Sequence, residues 1–394
     1  MTYTYAVLGG GRQGTAAAYD MARFGDAMTV RIADLDRATA EASAARVNRL
    51  LGTDIARGFG LDVTDERALE EFLADADSFL SAVPYWLNPK ITEVAIRARA
   101  SMCDLGGKTD LVLEQLKLDE AAVAAGISVV PDCGQVPGMG TSLMVYAMSL
   151  LDRADHVTMW DGGNDQNPRP PFNYISTFNM AGLTNEYYGE AIFLRNGRVT
   201  RVPTFLREDY EEVEFPEPIG VMEAFVAGGG TSTAPWTFEG KVQTLQNKTL
   251  RWKGHFEQWK AVMDMGLMDL EPIMVNGVPV VPRDVLHACV GPKITAGPDD
   301  RDFVIIRIKA QGVKNGKPAE ATVELFDSFD EETGFSAMER TTGWDGAIVA
   351  IMNARGVTPR GVKPVEIAVP VEPFVAELRR RGFALSERVE AAGR

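Results

Sequence analysis

Short apolar runs alternate with longer amphipathic stretches through the first third of the chain. The apolar runs predict β-strands, and the stretches rich in Ala, Leu, Glu and Arg predict helices. Strands and helices that alternate at this spacing are typical of βαβ units on a parallel sheet. The predicted strands are Tyr3–Leu8, Met28–Ala33, Ser78–Val83, Ser101–Leu105 and Ile127–Pro131, and the predicted helices are Thr15–Phe24, Ala38–Leu51, Glu66–Ala74, Pro89–Ala100 and Leu111–Ala125.

The pattern changes after Pro137-Gly138, because aromatic residues, prolines and β-branched runs become frequent. The turn signal Lys314-Asn315-Gly316-Lys317 predicts a hairpin between Phe303–Gln311 and Ala319–Phe326. Helices are predicted again at Trp344–Ala354 and Val371–Arg381. We therefore predict an α/β fold with a parallel-sheet domain (1–136, completed by C-terminal helices within 341–394), for which the motifs below indicate a Rossmann dinucleotide-binding domain, and an inserted α+β mixed-sheet domain (137–340), to which the resemblance given below assigns substrate binding, catalysis and oligomerisation.

Length and charge narrow the classes of function. A chain of 394 residues exceeds the size at which one core stops growing, which favours two domains. Its 40 basic and 55 acidic residues give a formal net charge of −15, and such a surface repels phosphate backbones and anionic lipids. We expect neither nucleic acid nor a membrane as a partner.

Targeting signals and metal-ligand spacings are not visible in the sequence. A strand-like run begins at Tyr3 without a basic and apolar leader, and no apolar run approaches the ~20 residues of a membrane span. Three cysteines, Cys103, Cys133 and Cys289, have no CxxC spacing, which argues against disulfides and structural zinc. We expect a cytoplasmic protein without a metal.

A GxGxxG pattern occupies the junction between the first predicted strand and helix. Gly9 permits the tight turn, Gly11 lets the backbone approach a pyrophosphate, and Gly14 allows close packing of helix and strand. The helix N-terminus offers unpaired N–H groups to phosphates. A dinucleotide is therefore the predicted cofactor, bound by Gly9, Gly11, Arg12, Gln13, Gly14, Asp34, Val83 and Pro84.

Asp34 ends the second predicted strand, twenty residues after Gly14. A carboxylate at this position accepts hydrogen bonds from the adenosine ribose and repels a 2′-phosphate. We therefore predict NAD rather than NADP, although the nearby Arg37 could weaken that preference.

Several further segments resemble the saccharopine dehydrogenase-like family, most closely its lysine 6-dehydrogenase branch. The likeness runs in order along nearly the whole chain. The segments are Ala82-Val83-Pro84-Tyr85 with Asn88, Asp104-Leu105-Gly106-Gly107, Pro131 to Met139 (PDCGQVPGM), Gly228 to Thr233 (GGGTST), Lys248 to His255 (KTLRWKGH) and Pro282 to Leu286 (PRDVL).

That resemblance implies a Rossmann domain with an inserted mixed-sheet domain, a homodimer or homotetramer, and oxidation of an amine in an amino acid. In the lysine-specific branch it implies hydride transfer from the terminal amine carbon to NAD, followed by imine hydrolysis and cyclisation of the semialdehyde to piperideine-6-carboxylate. Such chemistry needs a neutral amine, whose ordinary pKa is about 10.4, and a group that grips a carboxylate.

Candidate residues follow from these needs. Asp104 lies at the carboxyl end of a predicted strand, where it orients or deprotonates the amine or simply caps the Gly106-Gly107 turn. Tyr85 follows the neighbouring predicted strand at the same edge, where it contacts the nicotinamide ring or the substrate or is a packed aromatic. Asp132 and Cys133 follow the last strand, and Cys133 is expected to line the site rather than act as a nucleophile. Thr231 and Ser232 are expected to bind substrate oxygens.

Arg251 and His255 lie four residues apart and share a face in either a helix or a strand. Arg251 is the expected carboxylate clamp and His255 a candidate for proton transfer, with an ion pair and a structural histidine as the alternatives. Three functions stay open: a lysine-type amine dehydrogenase, a saccharopine- or carboxynorspermidine-type reductase acting on a secondary amine, and a dinucleotide-sensing protein without turnover. The second would need another carboxylate clamp besides Arg251, for which Arg169, Arg207 and Arg283 are candidates.

Overall fold

The computed structural model describes residues 1–177, 180–297 and 299–391. The chain divides into a first unit (Met1–Leu150, Thr231–Phe238 and Asp330–Leu385) and a second unit (Leu151–Gly230, Glu239–Phe329 and the residues from Ser386). The first unit thus continues past the predicted boundary at residue 136 and includes a short segment from the middle of the chain. Within the described residues, no helix combines the length and apolar character needed to cross a membrane.

Strands and helices alternate regularly up to Ser149. These elements are β1 Tyr3–Leu8, α1 Arg12–Phe24, β2 Ala27–Asp34, α2 Arg37–Leu51, β3 Ala56–Gly60, α3 Glu66–Leu73, β4 Ser78–Ser81, a 3₁₀ turn Tyr85–Leu87, α4 Asn88–Ala98, β5 Ser101–Asp104, α5 Thr109–Leu116, α6 Asp119–Ala125, β6 Ser128–Val130 and α7 Met139–Ser149.

Strands predominate in the middle of the chain, and helices return towards its end. The remaining elements are β7 Arg153–Asp165, α8 Met180–Tyr187, β8 Glu190–Arg195, β9 Arg198–Pro203, a 3₁₀ turn Arg207–Asp209, β10 Glu211–Glu214, β11 Val221–Phe225, α9 Ala234–Phe238, β12 Thr244–Arg251, α10 His255–Asp264, β13 Ile273–Val275, β14 Val278–Val280, α11 Pro282–Ile294, β15 Asp302–Lys314, β16 Lys317–Ser328, α12 Ala337–Ala354, β17 Gly361–Val362, α13 Val365–Ala368, α14 Val371–Arg380 and β18 Ala384–Ala391.

The first unit contains a parallel sheet with the strand order β3-β2-β1-β4-β5-β6-β17. Strands β4, β5 and β6 are buried along their whole length, which is why they appear in the sequence as continuous apolar runs. The order reverses between β1 and β4, and open sheets of this kind bind ligands at the carboxyl ends of the strands around such a point. The predicted Rossmann architecture is confirmed.

Two local predictions in this unit were wrong. Strand β3 was missed because its glycines and arginine dilute the apolar pattern; Gly58 lies so near α2 that a Cβ would be 2.4 Å from the Glu41 amide nitrogen. The single helix predicted over Leu111–Ala125 is two helices, α5 and α6. The amides of Lys117 and Leu118 bond to carbonyls three residues earlier, and this tighter turn ends α5.

The C-terminal part of the first unit completes its core. Helix α12 begins at Ala337, earlier than predicted, because Ser336 and Glu339 form a capping box. Directly after α14, Arg381 forms a fully buried bidentate ion pair with Asp20 of α1. Helices α12, α13 and α14 lie within the predicted range 341–394 or overlap it, and the final element, β18, is a strand beside β16.

The second unit is built on a mixed sheet, as predicted. The strand order within the described residues is β10-β11-β12-β7-β15-β16-β18, with β8 and β9 attached through β12. Strands β12 and β7 are parallel, whereas β15 pairs antiparallel with β7 and β16. The predicted hairpin is confirmed: Lys314 pairs with Lys317, and Asn315 and Gly316 between them both have positive φ.

Candidate active site

The loop between β1 and α1 brings backbone atoms into close approach at two glycines. At Gly9 (φ +102°) a Cβ would lie 2.7 Å from the Ala82 carbonyl oxygen, and at Gly14 it would lie 1.9 Å from the Gly9 carbonyl oxygen. At Gly11, by contrast, a Cβ would meet nothing within 4 Å. Packing therefore requires glycine at positions 9 and 14, whereas Gly11 borders open space in front of α1.

The first turn of α1 faces that open space. No side chain of the described residues caps this N-terminus, so its amides and the positive end of the helix dipole are available to an anion. Arg12 is half exposed and lies 3.6 Å from Glu339, and Gln13 has a buried side-chain oxygen without a partner in the described part of the chain. The open cradle and the uncapped helix fit a dinucleotide pyrophosphate.

Asp34 lies at the carboxyl end of β2, beside the same loop. One of its carboxylate oxygens accepts a hydrogen bond from the Gly10 amide at 2.8 Å, and the other accepts one from the Asp36 amide at 3.0 Å. Arg37, which was considered as a competitor for a phosphate, is exposed and forms an ion pair with Glu41. The carboxylate is thus fixed where a cofactor ribose is expected in this fold.

Residues Val83, Pro84 and Tyr85 follow β4 and are all at least partly exposed. The Tyr85 ring lies against the backbone of Gly107. A Cβ added at position 107 would lie 2.7 Å from the Tyr85 Cδ1 atom. The glycine at position 107 is therefore explained by this contact. The motif residues after β4 and β5 pack on one another, as expected for strand ends at the same edge of a parallel sheet.

Asp104, the last residue of β5, is completely buried and accepts three hydrogen bonds. Its donors are the amides of Gly106 (2.8 Å) and Asp132 (3.2 Å) and the side chain of Gln115 (2.8 Å). Burial nevertheless raises the pKa of this carboxyl above its ordinary value. This geometry supports the alternative considered for Asp104, in which it holds the strand-end turns in place.

Asp132 follows β6 with a left-handed backbone (φ +63°) and is 2% exposed. Burial, reinforced by the neighbouring Asp104, raises its pKa to about 7, and the hydrogen bond from the Ser232 hydroxyl opposes this rise. A carboxyl with this pKa exchanges a proton near neutral pH, which an ordinary aspartate does not do. Among the predicted catalytic and substrate residues of the first unit, Asp132 has the properties of a proton acceptor.

A second carboxyl, which the sequence did not reveal, holds the segment that carries Ser232. Glu366 of α13 accepts hydrogen bonds from the Thr233 hydroxyl at 3.1 Å and the Thr237 hydroxyl at 2.6 Å, and burial raises its pKa. Thr231 begins this segment and is itself buried. The residues in contact are more than a hundred positions apart, so no local signal could have identified Glu366.

The predicted role of Cys133 as a buried lining residue agrees with its surroundings. The thiol is completely buried, its Sγ atom lies 3.3 Å from the Val130 carbonyl oxygen, and burial raises its pKa well above the ordinary value. A thiol in this state is not a nucleophile.

In the second unit, Arg251 and His255 meet at one hydroxyl group. Tyr187 Oη accepts a hydrogen bond from Arg251 Nε at 2.8 Å and lies 3.0 Å from His255 Nε2, while His255 Nδ1 lies 2.9 Å from the Phe172 carbonyl oxygen. Burial and the nearby guanidinium lower the pKa of His255 well below its ordinary value. With both ring nitrogens engaged and the ring neutral, His255 positions Tyr187, and the alternative of a structural histidine is supported.

The guanidinium of Arg251 lies over the ring of Tyr174, with its Cζ atom 4.8 Å from the ring centroid. Its Nη1 group donates to the Leu250 carbonyl at 2.8 Å, whereas Nη2 donates to none of the described residues. Two carboxyls that the sequence analysis did not single out, Glu186 and Asp161, lie in the same electrostatic environment. A cation with one open donor group remains a candidate for binding a carboxylate.

Comparisons with known proteins agree with this geometry. A family model described as the saccharopine dehydrogenase NADP binding domain matches residues 5–130, and one described as the saccharopine dehydrogenase C-terminal domain matches residues 134–383. The structure of apo saccharopine dehydrogenase (L-Glu forming) from Saccharomyces cerevisiae covers 99% of this chain and is itself fully covered, with a TM-score of 0.79 and 21% identity. At that identity the likeness supports the fold.

Two proteins with similar sequences are named as a saccharopine dehydrogenase and an alpha-aminoadipic semialdehyde synthase. Saccharopine dehydrogenase [NADP(+), L-glutamate-forming] of Saccharomyces cerevisiae is 26% identical over 265 residues, 62% of this chain and 55% of that protein. The mitochondrial alpha-aminoadipic semialdehyde synthase of Bos taurus is 23% identical over 362 residues, 73% of this chain and 38% of that protein. The chain therefore spans about half the length of the former and less of the latter.

The first model thus covers the glycine cradle and strands β1 to β6, and the second covers the mixed sheet together with the later segments of the first unit. The chain belongs to the saccharopine dehydrogenase family.

Proposed function

We propose that this protein is an NAD(P)-dependent dehydrogenase that oxidises a carbon–nitrogen bond of an amino acid, with the terminal amine of L-lysine as the first candidate. The observation that carries this proposal is Asp132. It is a buried carboxyl with a pKa of about 7 at the strand edge that, in this fold, binds the reacting end of the cofactor.

The proton chemistry follows from this carboxyl. Oxidation of an amine by hydride transfer requires a nitrogen lone pair, so the ammonium form must first lose its proton. Above about pH 7 Asp132 is ionised and accepts that proton, with the Ser232 hydroxyl donating to the carboxylate. The imine is then hydrolysed by water to an aldehyde and ammonia.

The bound dinucleotide would supply the hydride acceptor. Gly9, Gly11, Gly14 and the first turn of α1 would hold its pyrophosphate, and Asp34 would accept hydrogen bonds from the ribose. We propose NAD as the preferred form because the fixed carboxylate of Asp34 repels a 2′-phosphate. The matching family model and the yeast relative carry NADP in their names, so the rates with NAD and with NADP must be compared directly.

The arginines differ in how far their donor groups are engaged. Arg169 forms two hydrogen bonds with Asp300, and Arg207 pairs with Glu257, so both are already matched by a carboxylate. Arg283 donates to the Met268 carbonyl and the Asn185 side chain, but its buried Nη2 group donates to none of the described residues. Arg251 likewise retains an open Nη2 group, which fits the single α-carboxylate of an amino acid such as lysine.

A second candidate is oxidation of a secondary amine such as saccharopine. The printed names of the relatives favour it, because they describe a saccharopine dehydrogenase that forms L-glutamate. This reaction would require a second carboxylate clamp, for which the open Nη2 group of Arg283 is a candidate, whereas Arg169 and Arg207 would have to exchange a carboxylate partner.

The test measures the formation of reduced cofactor from NAD or from NADP, with lysine, ornithine, cadaverine and saccharopine each supplied as the substrate. We expect turnover with lysine and NAD. The rate should be low below about pH 7, where Asp132 is protonated, and should rise further through about pH 9–10 as the free amine loses its proton. Turnover with saccharopine alone would establish the second candidate, and a flat pH profile would contradict the role of Asp132.

A further inference from the structure

The second unit contains two opposite charges that lie near one another without pairing. Arg251, at the end of β12, is 3% exposed, and Glu186, in the last turn of α8, is partly buried. Tyr187, the residue that follows Glu186, accepts a hydrogen bond from Arg251 Nε at 2.8 Å, and the two charges act on one another. Among the described residues, however, the Glu186 carboxylate has no hydrogen bond and no ion pair.

Contacts on both sides keep these charges apart. The Arg251 guanidinium is held by Tyr187 Oη, by the Leu250 carbonyl and by the ring of Tyr174. The position of Glu186 is set by its backbone, because its carbonyl oxygen accepts the Gly228 amide at 2.6 Å. The two residues thus supply a negative and a positive group to the same part of the second unit.

We propose that Glu186 and Arg251 form a subsite for the head group of an α-amino acid, in which Glu186 binds the α-ammonium and Arg251 binds the α-carboxylate. This proposal rests on the proposed function, and it assigns to Glu186 a role in specificity. A zwitterion carries its two charges on neighbouring atoms, so one ligand pairs both groups at once.

The unfavourable electrostatics of Glu186 without a ligand support this assignment. A partly buried carboxylate without a partner among the described residues is unfavourable, and burial raises the pKa of Glu186 to about 7 despite the opposing effect of Arg251. Asp161, a buried carboxyl that accepts a hydrogen bond from Asn247 at 3.2 Å, adds a second negative charge to the surroundings. Two carboxyls around one guanidinium favour a ligand that brings a cation as well as an anion.

The experiment measures binding by calorimetry for L-lysine and for ε-aminocaproate, which lacks only the α-amine. In Glu186→Gln we expect the affinity for lysine to fall about 10- to 100-fold, as for a lost charged hydrogen bond, with ε-aminocaproate unaffected. Glu190→Gln is the matched control, because Glu190 is an exposed glutamate of β8 close to Glu186 in sequence. It should bind both ligands as the unaltered protein does.

A second variant separates the two charges. Arg251→Lys should weaken both lysine and ε-aminocaproate, which share the carboxylate, and should affect cadaverine, which lacks it, much less. Because each variant is judged by a ratio between two ligands, a general loss of folded protein does not imitate the expected result.

The outcomes distinguish this inference from the proposed function. Equal weakening of lysine and ε-aminocaproate by Glu186→Gln, or no preference of the unaltered protein for the ligand with the α-amine, would overturn the subsite. Selective binding of lysine without turnover under any condition would leave the subsite standing and remove the proposed reaction.

Discussion

Two parts of the same sheet edge in the first unit prepare a site by different means. Around β1 and β2 the backbone forms the site. Gly9 and Gly14 permit close approach between backbone segments, and no side chain of the described residues caps the first amides of α1. Around β5 and β6 buried carboxyls form the site. Asp104 accepts hydrogen bonds that hold the turns in place, and Asp132 has a pKa of about 7, so it exchanges a proton near neutral pH. The first part depends on the absence of side chains and the second on their burial.

This difference also decides what the sequence could reveal. The glycine positions and Asp34 were predictable because their spacing is local and steric. The pKa of Asp132 was not, since it depends on burial, on Asp104 and on Ser232, which lies a hundred residues away along the chain. Glu366 and Glu186 escaped prediction for the same reason, because each becomes significant only through contacts between distant segments.

The largest expected effect concerns Asp132. Asp132→Asn keeps an oxygen for the Ser232 hydroxyl but removes the proton acceptor, so we expect kcat to fall about 10²- to 10⁴-fold. The fold raises the pKa of this carboxyl, so its ionisation costs stability as the pH rises from its ordinary value through about 7. Compared with the unaltered protein, the variant should therefore gain stability at about pH 8 and not below the ordinary pKa.

Rate assays and chemical denaturation at several pH values would check both parts. Asp54→Asn, at an exposed position, is the control and should change neither. A variant with unchanged kcat would remove Asp132 from the chemistry.

A comparable effect is expected from a methyl group in the glycine cradle. In Gly14→Ala the added carbon would lie 1.9 Å from the Gly9 carbonyl oxygen, and the required backbone shift should destabilise the first unit by about 3 kcal/mol. Gly11→Ala meets no protein atom within 4 Å, so it should fold normally and weaken only cofactor binding. Thermal unfolding and titration with reduced cofactor separate the two variants, and equal stability would contradict the packing argument.

A smaller change is expected in the preference for NAD over NADP when Asp34 is replaced. Asp34→Ser removes the fixed charge beside the Gly10 amide, and the ratio of kcat/KM for NAD to that for NADP should fall about tenfold or more. Arg37→Ser, at the first residue of α2, where the side chain forms an ion pair with Glu41, provides a charge-changing comparison. If the unaltered protein prefers NADP, the assignment of Asp34 to NAD selection is wrong.

The smallest effect tests how the Ser232 segment is held. Thr233→Val removes one of the two hydroxyls that donate to Glu366, and we expect the free energy of unfolding to fall by about 1 kcal/mol. The pH at which activity falls on the acidic side should stay unchanged, because Ser232 still donates to Asp132. Glu366 adds to the raised pKa of Asp132, so a shifted acidic limb would show that the Thr233 hydroxyl controls the charge of Glu366.

The division of the first unit into three separate stretches of sequence has a consequence for how the protein is made. A nascent chain that has emerged through Leu150 still lacks β17, helix α12 and the arginine that neutralises the buried Asp20. The amino-terminal sheet must therefore wait for residues up to Leu385 before its core closes, while the second unit is translated in between. Pairings over such sequence separations form slowly, and the waiting intermediate exposes apolar surface. We expect the first unit to reach its folded state only after synthesis of the chain up to Leu385.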